Sequence, residues 1–140
     1  MDVLSFRDYC LSLPLAEETT PFDEVTLVYK IGGKMFAYAD MVDFGRFSVK
    51  CDPDEAILLR DRHSEITPGF HMNKRHWNTI ATTGDLPDAF LRAQIRNSYR
   101  LVLCGVTPRT LRDEITAYLQ KVGLPSVDPS TASEIAEEAP

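Results

Sequence analysis

Nine consecutive residues, His71-Met72-Asn73-Lys74-Arg75-His76-Trp77-Asn78-Thr79, hold two of the three histidines, two cations, two amides and the only tryptophan of the chain. Routine packing does not ask for that mixture, because solvated turns seldom carry a large aromatic among cations and buried strands seldom hold Asn, Lys, Arg and His in succession. Cations beside amides and an indole suit nucleic acid. Lys74 and Arg75 would meet phosphates, Asn73 and Asn78 would donate to phosphate or base edges, Trp77 would stack, and His76 lies among them. Arg92, Arg96 and Arg100 recur every four residues and extend the basic region to about residue 100. Each of these residues also has a plainer use. Arginines at that spacing form solvated helix faces, a tryptophan in an alternating strand serves a core, and asparagine closes turns on its own backbone. Five cations on phosphate would lower affinity about a thousandfold over a roughly fivefold to tenfold rise in salt.

Metal and catalytic chemistry find less support. His63, His71 and His76 match neither HExxH nor a paired-ligand helix, and an extended stretch would turn His71 and His76 to opposite faces. There is no GxSxG, Asp43-Phe44-Gly45 lacks the rest of a kinase signature, and Gly32-Gly33 lacks the strand-to-helix setting of a phosphate loop. The one pairing left to geometry is His76 with Ser64 or Ser98. No catalytic residue, metal or cofactor is expected.

The chain's 140 residues are enough for one core without disulfide or metal staples. Cys10, Cys51 and Cys104 are odd in number, far apart and set among apolar neighbours, as buried reduced thiols would be. Residues Met1 to Arg7 lack the basic-then-apolar pattern of a secretion signal, and no apolar run reaches the roughly 18 residues of a membrane span. A cytoplasmic protein without membrane contact is expected. The formal charge of −6 is unevenly spread: residues 1–59 are net −6, residues 60–112 net +5, and the tail 126–140 net −4 from Asp128, Glu134, Glu137 and Glu138. A local basic patch can bind a polyanion despite the overall sign. The tail has too little apolar surface to offset its ordering entropy, so residues 1–125 are read as the domain and 126–140 as disordered.

Elements follow from the apolar spacing. Asp2 caps a helix carrying Phe6, Cys10 and Leu13, which Pro14 ends, and Glu17 to Asp23 reads as a loop. Val25 to Ile31 and Lys34 to Asp40 form a hairpin about Gly32-Gly33, and Arg46 to Cys51 alternates with Phe47, Val49 and Cys51 inward. A two-residue turn would put Leu27, Tyr29, Ile31, Phe36 and Tyr38 on the core face. Thr26, Val28, Lys30, Met35, Ala37 and Ala39 would then lie on the other. Asp52-Pro53 opens a second helix with the stripe Ala56-Ile57-Leu58-Leu59; Ile66 and Phe70 then flank the turn-prone pair Pro68-Gly69, and Trp77 to Thr82 reads as a strand, the second of two in this stretch. Pro87-Asp88 begins a third helix with Leu91, Ile95, Ser98 and Val102 inward. Thr107-Pro108 begins a fourth with Leu111, Ile115, Tyr118, Leu119 and Val122 inward, ended by Gly123 and Pro125. The order α-β-β-β-α-β-β-α-α predicts an α+β two-layer sandwich, an antiparallel sheet with helices on one side.

Pro21-Phe22, Gly33-Lys34-Met35-Phe36, Lys50-Cys51-Asp52-Pro53, the nonapeptide 71–79 and Ser98-Tyr99-Arg100-Leu101-Val102 together resemble the MmcQ/YjbR family from about Pro21 to Val102. That resemblance implies a CyaY-like or secretion-chaperone-like arrangement and DNA as a ligand. The helix from Pro108 and the acidic tail depart from the family pattern. The leading expectation is a non-enzymatic DNA-binding domain using the basic region of residues 71–100. The alternative is a protein-interaction or chaperone-like module, with a partner or a second copy on the apolar surface of Val28, Met35, Ala37 and Ala39.

Overall fold

The computed structural model describes residues 1–69 and 72–106, together with Asp113, Thr116 and Ala117. Gly32 and Gly33 have φ of 57° and 80°, the left-handed pair that a two-residue hairpin turn needs. They join β2 (Thr26–Ile31) to β3 (Lys34–Asp40). Pairing begins as the turn dictates, Ile31 with Lys34 and Lys30 with Met35, and then shifts, so that Tyr29 pairs with Ala37 and Val28 with Tyr38. Phe36 is the extra residue of a β-bulge.

The bulge overturns part of the face assignment. Leu27, Tyr29, Ile31 and Phe36 are in the core as expected, but Ala37 and Ala39 join them and Tyr38 passes to the opposite face. Val28 is fully buried. The apolar surface expected from Val28, Met35, Ala37 and Ala39 therefore does not form. A parity rule cannot foresee this, because the residue that accommodates the bulge is remote. The Ser98 hydroxyl donates to the Phe36 carbonyl at 2.5 Å and accepts from the Lys50 amide at 2.8 Å.

A second difference is β1 (Glu17–Thr19), which was expected to be loop and pairs antiparallel with β2. Glutamates favour strands poorly, but here Glu18 accepts from Tyr29 Oη at 2.7 Å and from Arg7 Nε and Nη2 at 3.0 Å each. Those bonds tie the strand to both β2 and the first helix. With β4 (Arg46–Lys50), β5 (Ile66–Pro68) and β6 (Trp77–Ala81), the sheet has, among the described residues, six antiparallel strands in the order β1-β2-β3-β4-β6-β5.

Helix α1 (Val3–Ser12) starts where Asp2 Oδ1 accepts from Ser5 N at 2.8 Å, and it buries Phe6 and Cys10. Helix α2 (Pro53–Arg62) starts where Asp52 Oδ2 accepts from Asp54 N and Glu55 N. It buries Ala56 and Leu59 and leaves Ile57 and Leu58 exposed, because only residues three apart share its inner face. Helix α3 (Asp88–Leu103) buries Leu91, Ile95, Ser98 and Val102 as the spacing predicted. These three described helices feed one core cluster on one face of the sheet, with Leu27, Phe36, Phe47, Val49 and Ile80 beneath them. The element order over the described residues is α-β-β-β-β-α-β-β-α, an α+β fold with one strand more than expected. Apart from Asp113, Thr116 and Ala117, the expected fourth helix lies outside the described residues, as does the acidic tail.

Candidate functional site

The nonapeptide begins beyond the described residues at His71; from Met72 it forms a turn leading into β6. Asn73 Oδ1 accepts from Arg75 N at 3.0 Å, and Asn73 O accepts from His76 N at 3.1 Å. Asparagine is here the turn-former that its side chain makes it elsewhere. The backbone is fixed from outside as well. His76 O accepts from Cys51 N and Trp77 O from Gly69 N, each at 2.7 Å. From α2, Arg60 donates through Nε to Asn78 Oδ1 at 2.7 Å and through Nη2 to the carbonyls of Trp77 and Lys74. Sequence reasoning missed Arg60. Its only signal was a cation near the end of a helix, which is common for reasons unconnected with any site.

This clamp divides the expected site. Lys74 and Arg75 are exposed, His76 is half-buried, and Asn78 is buried as Arg60's partner. Trp77 is only 7% exposed and packs beside Tyr38 with ring centroids 6.2 Å apart. It is a structural residue, and the stacking role expected of it is corrected, since an indole enclosed in this way has no open face for a base.

The arginine stripe of α3 divides too. Arg92 is exposed, with its guanidinium 5.8 Å from the Tyr9 ring centroid. Arg96 is half-buried, and Arg100 is 2% exposed. Burial, with Arg96 adding to it, pushes the Arg100 pKa down to about 10. Its Nη1 and Nη2 have no hydrogen-bond partner among the described residues. Arg100 is therefore not a phosphate contact. The four-residue spacing alone predicts a solvated or ligand-facing stripe, but Ala93 and Asn97 are also buried on that side of α3.

The pairing left open for catalysis does not form through Ser98, whose hydroxyl is fully buried and committed to Phe36 O and Lys50 N. The Ser64 hydroxyl is exposed and faces Glu65 at 3.5 Å. His63 packs edge-on to Phe90, with centroids 5.0 Å apart. Among the described residues no three His, Cys, Asp or Glu side chains gather as a metal would need. Burial raises the thiol pKa of Cys10 and pushes that of Cys51 up to about 12, so both are poor nucleophiles.

The face of the sheet opposite the helices holds a feature the sequence did not announce. Tyr38, Ser48 and Ala81 floor a groove of about 840 Å³. Phe22 and Asp23 wall it from the β1–β2 loop, Asp43 and Gly45 from the β3–β4 loop, and Met72 from the turn. Beside the floor, the hydroxyls of Ser48 and Thr79 share a 2.8 Å hydrogen bond across β4 and β6. Tyr38 reaches this face only because of the bulge at Phe36.

A YjbR family model matches residues 11–101. The chain belongs to the YjbR family. YbdF of Escherichia coli O157:H7 is 36% identical over 100 residues, which span 71% of this chain and 82% of that protein. YjbR of Escherichia coli strain K12 is 33% identical over 101 residues, covering 71% and 86%. Both relatives are described as uncharacterised. The crystal structure of Deinococcus radiodurans protein DR2400, of the DUF419 domain, superposes with a TM-score of 0.76 at 38% identity over 89% of each chain. A Pseudomonas syringae protein shares the fold at 23% identity, with a TM-score of 0.61 over 72% of this chain and 98% of its own. The YjbR match ends at residue 101, so it takes in the clamped turn and most of α3.

Proposed function

We propose that the protein is a non-enzymatic binding domain that holds DNA through Lys74 and Arg75. The observation that carries this reading is the exposure of both cations on a turn fixed by Arg60, Asn73 and the Cys51 and Gly69 amides. A rigid backbone presents charge with little ordering cost on binding. Lysine and arginine at such positions contact phosphates and set register rather than reading bases. The sheet with helices on one face also supports placing the fold in the CyaY-like or secretion-chaperone-like group. Free, buried Cys10 and Cys51 suit a reducing compartment, which supports a cytoplasmic location.

Fluorescence anisotropy with labelled single- and double-stranded DNA at low salt tests the reading. Lys74→Ala/Arg75→Ala is expected to weaken binding at least tenfold, and Arg92→Ala to leave it unchanged. Absence of binding at low salt, or a double variant that binds as the native chain does, would sink it.

A further inference from the structure

The groove on the bare face of the sheet takes no part in the DNA reading, and its chemistry has the opposite sign. Among the described residues its lining includes three carboxylates, Asp23, Asp40 and Asp43, against one cation, Arg46, which lies close enough to Tyr38 to influence its hydroxyl. Two of the carboxylates are held in place by backbone donors. Asp23 Oδ1 accepts from Val25 N and Thr26 N, and Asp40 Oδ1 from Val42 N and Asp43 N. Phe22, 72% exposed, stands on one wall; Val42, 76% exposed, sits in the opposite loop between Asp40 and Asp43.

Charge decides among the occupants. Phosphates would meet three carboxylates, and the chain's own tail 126–140 carries four acidic residues and no cation. A second copy, at net −6, is repelled overall, and its basic stretch 60–112 makes self-association an outcome to be checked in light scattering. A cationic ligand is attracted by the carboxylates and by the faces of Phe22 and Tyr38. A hollow of about 840 Å³ exceeds what one ammonium group fills and falls within the roughly 300–1,000 Å³ of ligand clefts. We infer that this groove docks a basic, partly apolar peptide segment of a partner protein. Its Lys or Arg head groups lie among Asp23, Asp40 and Asp43, and its apolar side chains lie on Phe22 and Tyr38.

The test uses the full chain and a fluorescein-labelled synthetic peptide of alternating leucine and lysine or arginine, with a counterpart carrying glutamate at every basic position. The basic peptide is expected to bind at least tenfold more tightly than the acidic one. Phe22→Ala and Asp43→Asn, both at exposed loop positions, are each expected to weaken it at least fivefold, while Lys74→Ala/Arg75→Ala leaves it unchanged. Backbone amide shifts should centre on Tyr38 and Ser48. Failure of the basic peptide to bind, equal binding of both peptides, indifference to Phe22→Ala and Asp43→Asn, or shifts confined to residues 73–76 would each overturn the inference. So would displacement of the peptide by DNA, or self-association in light scattering that Phe22→Ala abolishes. The DNA reading fails on different variants, so the two outcomes are separable.

Discussion

Replacing Ser98 with alanine probes the device that holds the bulge and so sets which residues face the groove. The Ser98 hydroxyl is 0% exposed and satisfies two main-chain groups from different strands, Phe36 O and Lys50 N. Alanine removes both bonds and leaves room too small for a replacement water. One buried acceptor and one buried donor left without partners cost about 1–3 kcal/mol each. Alanine's better helix propensity returns at most about 0.5 kcal/mol. The desolvation penalty wins, with a net loss of about 3 kcal/mol. For a chain of this size that lowers Tm by about 6–12 °C. Urea unfolding followed by Trp77 fluorescence and by circular dichroism should show a lower midpoint at unchanged slope. A loss below about 0.5 kcal/mol, or a gain, would refute the reasoning, because it would mean that the bulge does not depend on α3.

Three further perturbations follow from the packing. The Arg7 guanidinium, with help from the Tyr29 hydroxyl, holds the Glu18 carboxyl below its ordinary 4.5 against burial, which raises it. Its folded pKa being depressed, its stabilisation is present above pH 4.5 and lost as pH falls through the folded value. The difference in urea midpoint between native chain and Glu18→Gln should therefore shrink on acidification, and a constant difference would contradict the pairing. Arg100→Met removes a buried guanidinium whose Nη atoms lack partners among the described residues and keeps an apolar stem, so Tm should hold or rise by the equivalent of about 1–4 kcal/mol. A clear fall in Tm would contradict that. Gly69→Ala would bring a Cβ to 2.5 Å from Trp77 Cβ and 2.9 Å from Trp77 O, costing about 1–3 kcal/mol and red-shifting Trp77 emission. Unchanged emission and stability would argue against the close approach.

What the sequence disclosed and what it hid divide along one physical line. Gly32-Gly33, the caps Asp2 and Asp52, and the inner stripe of α3 were legible because each depends on residues within one turn or one helical repeat. Asn73 was legible as a turn-former for the same reason. The bulge at Phe36 depends on a serine 62 residues away, and β1 depends on an arginine and a tyrosine that each lie 11 residues from Glu18. Neither leaves a trace in local periodicity. The site was misjudged where composition alone carried the reading. Trp77 and Arg100 look like ligand contacts in a list of residue types, but strand parity beside Tyr38 encloses one and the buried side of α3 encloses the other. The groove went unseen because its floor required Tyr38 to change faces.

The salt dependence of DNA affinity counts the phosphates that the protein contacts. If DNA is held by Lys74 and Arg75 alone, the logarithm of affinity for duplex DNA should fall against the logarithm of salt with a slope of about −1.8, roughly a twelvefold loss from 50 to 200 mM. In Lys74→Ala/Arg75→Ala the slope should approach zero. A slope of about −4.5, as five phosphate contacts would give, would contradict the account by returning Arg92, Arg96 and Arg100 to the interface. A double variant that keeps the native slope would contradict it as well.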